Sequence, residues 1–270
     1  MQADADAVRA ASLVPCLNDP GQIVRHGTQL PGHPYALQLD SGMNRLGLEA
    51  TELEDLLDRL PHPGPSLILS HLACADNPEH PMNATQKREF ARLSGMFPDL
   101  RHSLAATAGI LIGGDMHHHL TRPGIGLYGG MPFSEARPVV RLSLPVIQTR
   151  WLDPGETVGY GATWTAQKRS RIATLAAGYA DGVVRALGNG GIRAFSGTAS
   201  APVVGRVSMD LIAVDITELD EEPEEMELLN TEQTIDDLAE AAGTISYEIL
   251  TGLGQRFARS YRGGGASSAP

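Results

Sequence analysis

The sequence predicts an α/β fold followed by a mostly-β domain, and three observations carry that expectation. From the start to about residue 130, short apolar runs alternate with helical stretches, the rhythm of a parallel sheet with helices laid outside it. From about Pro138 the pattern changes to Val, Ile and Thr runs broken by Gly and Pro, the spacing of short strands in an antiparallel sheet or barrel. A single late helical signature then closes the second part. The boundary falls near residue 133, which gives an α/β domain over 1–133, a β domain over 134–262 and a Gly/Ser/Ala tail over 263–270 expected to be disordered.

In order, Ser12–Leu17, Tyr35–Leu39, Ser66–His71, Ser103–Ala106 and Gly124–Tyr128 read as strands, five in all. Between the second and third, Thr51-Glu-Leu-Glu54 has the form of a capping box. Leu53, Leu56, Leu57 and Leu60 follow at helical spacing, so one face is apolar. A second helix is expected from Asn83, as N-cap, to Leu93, with Phe90 and Leu93 inward and Lys87 solvated. In the second part, Val146–Arg150, Arg171–Ala176, Val203–Val207 and Leu211–Ile216 read as strands. Thr234–Ala242 reads as a helix with Asp237 at the third position of its cap and Gly243 just beyond its end.

At 270 residues and 42% hydrophobic content the chain can bury a sizeable core. The net charge of −11, with eight acids and no base between Asp215 and Glu227, argues against a nucleic-acid partner; that stretch reads as a solvated loop. The first residues lack the basic and apolar regions of a signal peptide, and no run approaches a membrane span. The expectation is a cytoplasmic protein with no membrane partner. Cys16 and Cys74 lie far apart in apolar strand contexts and read as free core thiols.

Several motifs carry a sharp and a bland reading. Gly124-Ile-Gly-Leu-Tyr-Gly129 matches the dinucleotide pattern, but Gly-Met-Pro-Phe rather than a helix follows it and no acidic ribose partner stands downstream. A turn so rich in backbone amides can instead cradle a phosphate. His117-His-His119 beside Asp115 suggests a metal, yet contiguous histidines on a strand alternate faces, so a solvated loop is favoured and no metal is assigned. His71 at a strand end is either a satisfied core histidine or a functional one. Arg45 and Arg122 follow strands, where surface cations are common. Tyr179, between Gly178 and Asp181-Gly182, sits on a tight turn that presents a phenol.

Taken together, Leu39-Asp-Ser-Gly-Met-Asn-Arg-Leu-Gly47, Ser70-His-Leu-Ala-Cys-Ala-Asp76, Arg122-Pro-Gly-Ile125, Gly178-Tyr-Ala-Asp-Gly182 and Gly205-Arg-Val-Ser-Met-Asp210 resemble the bacterial alanine racemases, over about residues 12–262. The resemblance implies an N-terminal (β/α)8 TIM-type barrel, of which this chain would hold about the last five strands, and a C-terminal β domain that completes the site of a partner subunit in a homodimer. It implies pyridoxal 5′-phosphate as cofactor, and interconversion of L- and D-alanine by two bases flanking the α-carbon, for peptidoglycan precursors. Tyr179 would be one of those bases, assisted by His71, with Arg122 behind His71 and facing the pyridine nitrogen. Arg45 and the backbone of Met209 would hold the substrate carboxylate. Thr107 with the amides of Gly124 and Ile125 would hold the phosphate.

Five departures from the family pattern are visible. Gln38 stands where many members carry a carbamylated lysine that steadies the substrate-binding arginine, Thr107 stands for the usual serine and keeps its hydroxyl, Ala106 stands for an asparagine, and Gln255 for a phosphate-binding tyrosine. The fifth concerns the amine that holds the cofactor as a Schiff base. The only lysines are Lys87 and Lys168, and neither lies in the family's lysine motif. The family carries that motif in roughly 90 residues ahead of this match, an estimate from the length of an eight-strand barrel. The expectation is therefore a truncated racemase, inactive by itself. The alternatives are a non-catalytic paralogue that lends Tyr179 to a complete subunit, and another enzyme of the same architecture: a basic amino-acid decarboxylase, against which the Gly-Tyr-Ala-Asp-Gly turn speaks, or a broader racemase.

Overall fold

The protein is described here by a computed structural model, over residues 5–262. The expected tail over 263–270 lies outside the described residues. The chain divides into two compact units, one up to Gly126 and one from Leu127 on. The division precedes the sequence-based boundary at 133 because the connecting segment is tied to the second unit: Met131 N–H donates to the Asp236 carboxylate at 3.0 Å.

In the first unit the elements run α1 (Ala5–Ala10), β1 (Cys16–Leu17), α2 (Pro20–Gln29), β2 (Ala36–Gln38), α3 (Ala50–Leu56), β3 (Leu67–Leu69), α4 (Pro81–Ser94), β4 (Arg101–Ser103) and α5 (Thr107–Ile112). The four strands pair in parallel in the order β1-β2-β3-β4, each step carrying one crossover helix, as parallel pairing requires. Leu37, Leu39, Ile68 and Leu104 from the sheet pack in one core with Leu53, Phe90 and Leu93 from the helices. Each such side chain contributes about 1.5–3 kcal/mol by leaving water.

Three expectations are corrected in this unit. The fifth strand is absent: Ile125–Tyr128 forms a 3-10 turn. Glycine weakens a strand, and the amides of Gly124 and Gly126 donate to the Thr107 hydroxyl instead of a ladder partner. The cap of α3 is Glu49 with Glu52, not Thr51 with Glu54. The helix passes into a 3-10 turn at Leu57, which leaves that leucine exposed while Leu53 is buried. Pro81 starts α4 two residues before Asn83, so His80 is the cap and Asn83 is buried inside the helix, its amide donating to the carbonyls of Cys74 and Asn77. Cys16 and Cys74 are free thiols.

The second unit is built on a closed antiparallel barrel of β5 (Leu142–Leu152), β8 (Ser170–Leu175), β9 (Arg193–Ser196), β10 (Ala199–Val204), β11 (Ile212–Asp215) and β12 (Glu225–Leu229), in the order β10-β11-β8-β5-β12-β9. A separate hairpin pairs β6 (Thr157–Val158) with β7 (Trp164–Thr165). The helices α6 (Ile235–Ala242) and α7 (Ser246–Gly252) follow. The cap of α6 is as expected, Thr234 with Asp237 at its start and Gly243 at φ 69° past its end. The acidic stretch is corrected in part: its last residues enter β12, where Met226 and Leu228 are buried between outward glutamates in a two-residue alternation.

The histidine run is built into packing. His117 bonds the Ile110 carbonyl at 2.9 Å, His118 meets the Phe90 ring edge-on at 5.1 Å, and His119 accepts from the His102 amide at 3.1 Å.

Candidate active site

In the first unit two strand ends, those of β3 and β4, converge on one guanidinium. Arg122 donates to the Ser103 hydroxyl at the end of β4 at 2.5 Å, and to the carbonyl of Ser70, just past β3, at 2.6 Å. It also reaches the Leu104 carbonyl at 3.3 Å and lies 3.4 Å from His71 Nδ1. Its backbone is fixed as well, by a bridge to Ala106 and by its N–H donating to the Ala105 carbonyl. Among the described residues, the hydrogen-bond partners of this half-buried cation are all neutral, an arrangement that leaves its charge available to an anion or a lone pair.

His71 is half-buried, and its imidazole is held below the ordinary histidine range first by burial and then by the charges of Arg122 and Arg45. The neutral ring is therefore the native form. The linkage has a definite sign. Below the ordinary value of 6.5 the unfolded chain takes up a proton that folded His71 refuses, so stability falls as pH drops through 6.5 toward the lower folded value. Above 6.5 this group adds no slope. His118 is shifted the same way, chiefly by burial. Urea unfolding at pH 7.5 and 5.5 is expected to show a loss at the lower pH, and His71→Gln to reduce that loss; an unchanged loss would exclude His71 as its source.

Beside this centre, buried Thr107 at the start of α5 accepts from the amides of Gly124, at 2.9 Å, and Gly126, at 3.3 Å. The turn Gly124-Ile125-Gly126 is thereby fastened across the start of α5, with a hydroxyl and several amides concentrated in one place. Arg45 lies exposed in the loop after β2, which the Asp40 carboxylate shapes by accepting from the amides of Gly42, Met43 and Asn44. Gln38 does not steady Arg45: its amide donates to the Leu46 carbonyl at 2.9 Å. It fixes the loop backbone rather than the guanidinium.

In the second unit the turn bearing Tyr179 is fastened on three sides. Tyr179 and Ala180 amides donate to the Ser208 and Met209 carbonyls, at 3.0 and 2.9 Å. Buried Asp181 accepts from Gly178 N–H at 3.0 Å and from Arg256 Nε at 2.7 Å, and Arg256 also reaches Asp210 at 2.7 Å. Gly254 N–H donates to the Asp181 carbonyl. Tyr179 stays 45% exposed. A rigid backbone thus presents an accessible hydroxyl, with Met209 bonded beside it.

The sequence-based candidates therefore assemble into two constellations: His71, Arg122, Thr107, Gly124 and Ile125 in the first unit, with Arg45 on its own exposed loop, and Tyr179 with Met209 in the second. Sequence reasoning missed Ser70, Ser103, Gln86, Asp181 and Arg256. Gln86 carried a signal, since it shares an inward helical face with Asn83, Phe90 and Leu93 while being polar. Arg256 carried none, because its partners lie 75 and 46 residues away.

Among the described residues no helix is long and apolar enough to cross a membrane. The family descriptions "Alanine racemase, N-terminal domain" and "Alanine racemase, C-terminal domain" match residues 1–132 and 139–261. The chain is 54% identical over 261 residues to an alanine racemase of Ruegeria sp., covering 97% of this chain and 75% of that protein. It is 55% identical over 260 residues to one of Jannaschia sp., covering 96% and 75%. Among solved structures it is similar to the alanine racemase of Bartonella henselae with covalently bound pyridoxal phosphate, at TM-score 0.84 and 34% identity, covering 97% of this chain and 76% of that one. The biosynthetic alanine racemase of Pseudomonas aeruginosa gives TM-score 0.84 and 34% identity, covering 97% and 77%. With both halves matched and the barrel-plus-β architecture shared, the chain belongs to the alanine racemase family.

Proposed function

We propose that this chain acts in the interconversion of L- and D-alanine with pyridoxal 5′-phosphate, in the cytoplasm and as a homodimer with shared sites. The observation that carries this reading is the pairing of a neutral His71 with an Arg122 cation held only by neutral groups. In this reading residues 1–133 form a segment of a (β/α)8 barrel that binds the cofactor, and residues 134–262 form the domain that completes the partner's site.

The residues present fit two parts of the cofactor. Thr107 with the amides of Gly124 and Ile125 would hold a phosphate by exchanging the bond that joins the Gly124 amide to the Thr107 hydroxyl, and the Arg122 fork, free of any carboxylate ion pair among the described residues, matches a pyridine nitrogen. The aldehyde end is not served. Lys87 on α4 is paired with Asp115 at 2.7 Å and Lys168 is paired with Glu218, both on exposed surface. When bound, the cofactor supplies an electron sink for the α-carbon of alanine.

The chain's own residues then have these tasks. Tyr179 of a second copy exchanges a proton with the alanine α-carbon on one face, and inversion needs a base opposite, which neither lysine provides. His71, kept neutral, accepts or donates a hydrogen bond at the phenol without adding charge. Arg45 holds the substrate carboxylate, with the Met209 backbone beside it.

The test is pyridoxal phosphate titration of the 270-residue chain, followed by borohydride reduction, peptide mass spectrometry and chiral analysis of alanine. Saturable non-covalent binding is expected, with no single-site lysine adduct and no turnover by this chain alone. Absence of binding would overturn the racemase reading; D-alanine production from L-alanine would overturn the assignment of the lysines. The lysine placement also favours a second reading, in which the chain lends Tyr179 to a lysine-bearing racemase subunit; mixing the two and finding no association would exclude it.

A further inference from the structure

The strand β3 leaves the sheet at Ser70, whose amide makes the last ladder bond, to the Ser103 carbonyl at 3.1 Å. The next backbone groups need other partners, and a helix side chain provides them. Gln86 of α4 is fully buried; its Oε1 accepts from Ala73 N–H at 2.8 Å and its Nε2 donates to the His71 carbonyl at 3.0 Å. One primary amide thus clips the chain on both sides of Leu72, as a neighbouring peptide would. The same Nε2 lies 3.4 Å from Ser41 Oγ, which bonds Ser70 Oγ at 2.7 Å in a fully buried pair. The Ser70 carbonyl in turn accepts the 2.6 Å bond from Arg122. The hydrogen bonds of Gln86 go to backbone and to Ser41 rather than to the imidazole or the guanidinium, yet they fix the segment that aims the first and anchors the second.

We propose that Gln86 is a positioning residue for the His71–Arg122 pair, its buried amide taking the place of a ladder partner past the end of β3. The role in the reaction rests on the racemase reading above; the geometric role does not. A buried amide of this kind is costly to hold unless every polar atom is used, and here the oxygen and the nitrogen are both engaged on the loop that carries His71. A glutamine whose only task was to fill space on the inner face of α4 has no reason to point both ends at one three-residue segment.

The test compares wild type with Gln86→Met, which keeps the volume and removes the bonds. The first readout is the His71 ring titration by NMR, assigned with His71→Gln, since the ring's position relative to burial, Arg122 and Arg45 sets that titration. The second is the affinity for pyridoxal phosphate itself. A positioning role moves the His71 midpoint up toward the ordinary histidine value and weakens binding about tenfold, the scale of one misplaced polar contact. A merely structural role lowers the unfolding temperature while midpoint and affinity stay at wild-type values, and that result overturns the proposal. Should Gln86→Met fail to fold, Gln86→Asn keeps the amide but loses one methylene of reach, and the same readouts decide. If the wild-type chain binds no pyridoxal phosphate, the racemase reading fails, while the His71 midpoint still decides the role of Gln86.

Discussion

Replacing Arg122 by alanine is expected to weaken pyridoxal phosphate binding by about 10- to 100-fold, the equivalent of one charge-assisted contact of about 1.5–3 kcal/mol. The guanidinium is held by Ser103, the Ser70 carbonyl and the Leu104 carbonyl, so its direction is set before any ligand arrives. Removal deletes the fixed cation and leaves those acceptors to find water. It also removes one of the charges that depress His71, so the His71 midpoint rises in the same variant. Arg122→Lys is not a rescue: an ammonium keeps the charge but loses the planar fork that spans Ser103 and Ser70 at once. Fluorescence titration with the cofactor and NMR titration of His71 measure the two effects together. Unchanged affinity would remove Arg122 from the binding site.

Gly178→Ala is expected to cost about 3 kcal/mol, at the upper end of ordinary overpacking, and to loosen Tyr179 more than any other residue. A Cβ there would stand 2.3 Å from both the Ser208 and Met209 carbonyl oxygens, and these are backbone atoms that cannot rotate away. They are also the acceptors for the Tyr179 and Ala180 amides, so the clash pries apart the contact that seats the phenol. Denaturant unfolding measures the cost, and amide exchange at Tyr179 and Ala180 localises it. Gly191→Ala is the control, because the nearest atom to its added Cβ lies at 3.5 Å, ordinary contact. Equal behaviour of the two variants would show that the turn yields without consequence.

The sequence was legible where one local pattern decided the outcome. The parallel strands around Leu37 and Ile68, three of the six barrel strands and the cap of α6 follow from apolar runs and cap chemistry within about ten residues of each other, whereas the strand expected over Val203–Val207 lies earlier, at Ala199–Val204. It was less legible where a distant group intervened. Gly124–Tyr128 has the composition of a short strand, but Thr107, 17 residues earlier, captures its amides. The strand β12 was hidden in an acidic run, because charge count masks a two-residue alternation of Glu and Met or Leu. At the site, resemblance supplied the named residues from their motifs; of the groups that fix them, Gln86 left only a trace as a polar residue on an inward helical face, while Ser103 and Arg256 act through spatial neighbours that no sequence window contains.

Arg256 gives the second constellation a dependence on its medium. The guanidinium that joins Asp181 to Asp210 is more than half exposed, and such a pair weakens as counter-ions accumulate around it. The hydrogen bond from Gly178 to Asp181 is buried and keeps its strength. Raising the electrolyte concentration is therefore expected to slacken the turn that aims the aromatic hydroxyl, seen as faster amide exchange at Tyr179 in high salt.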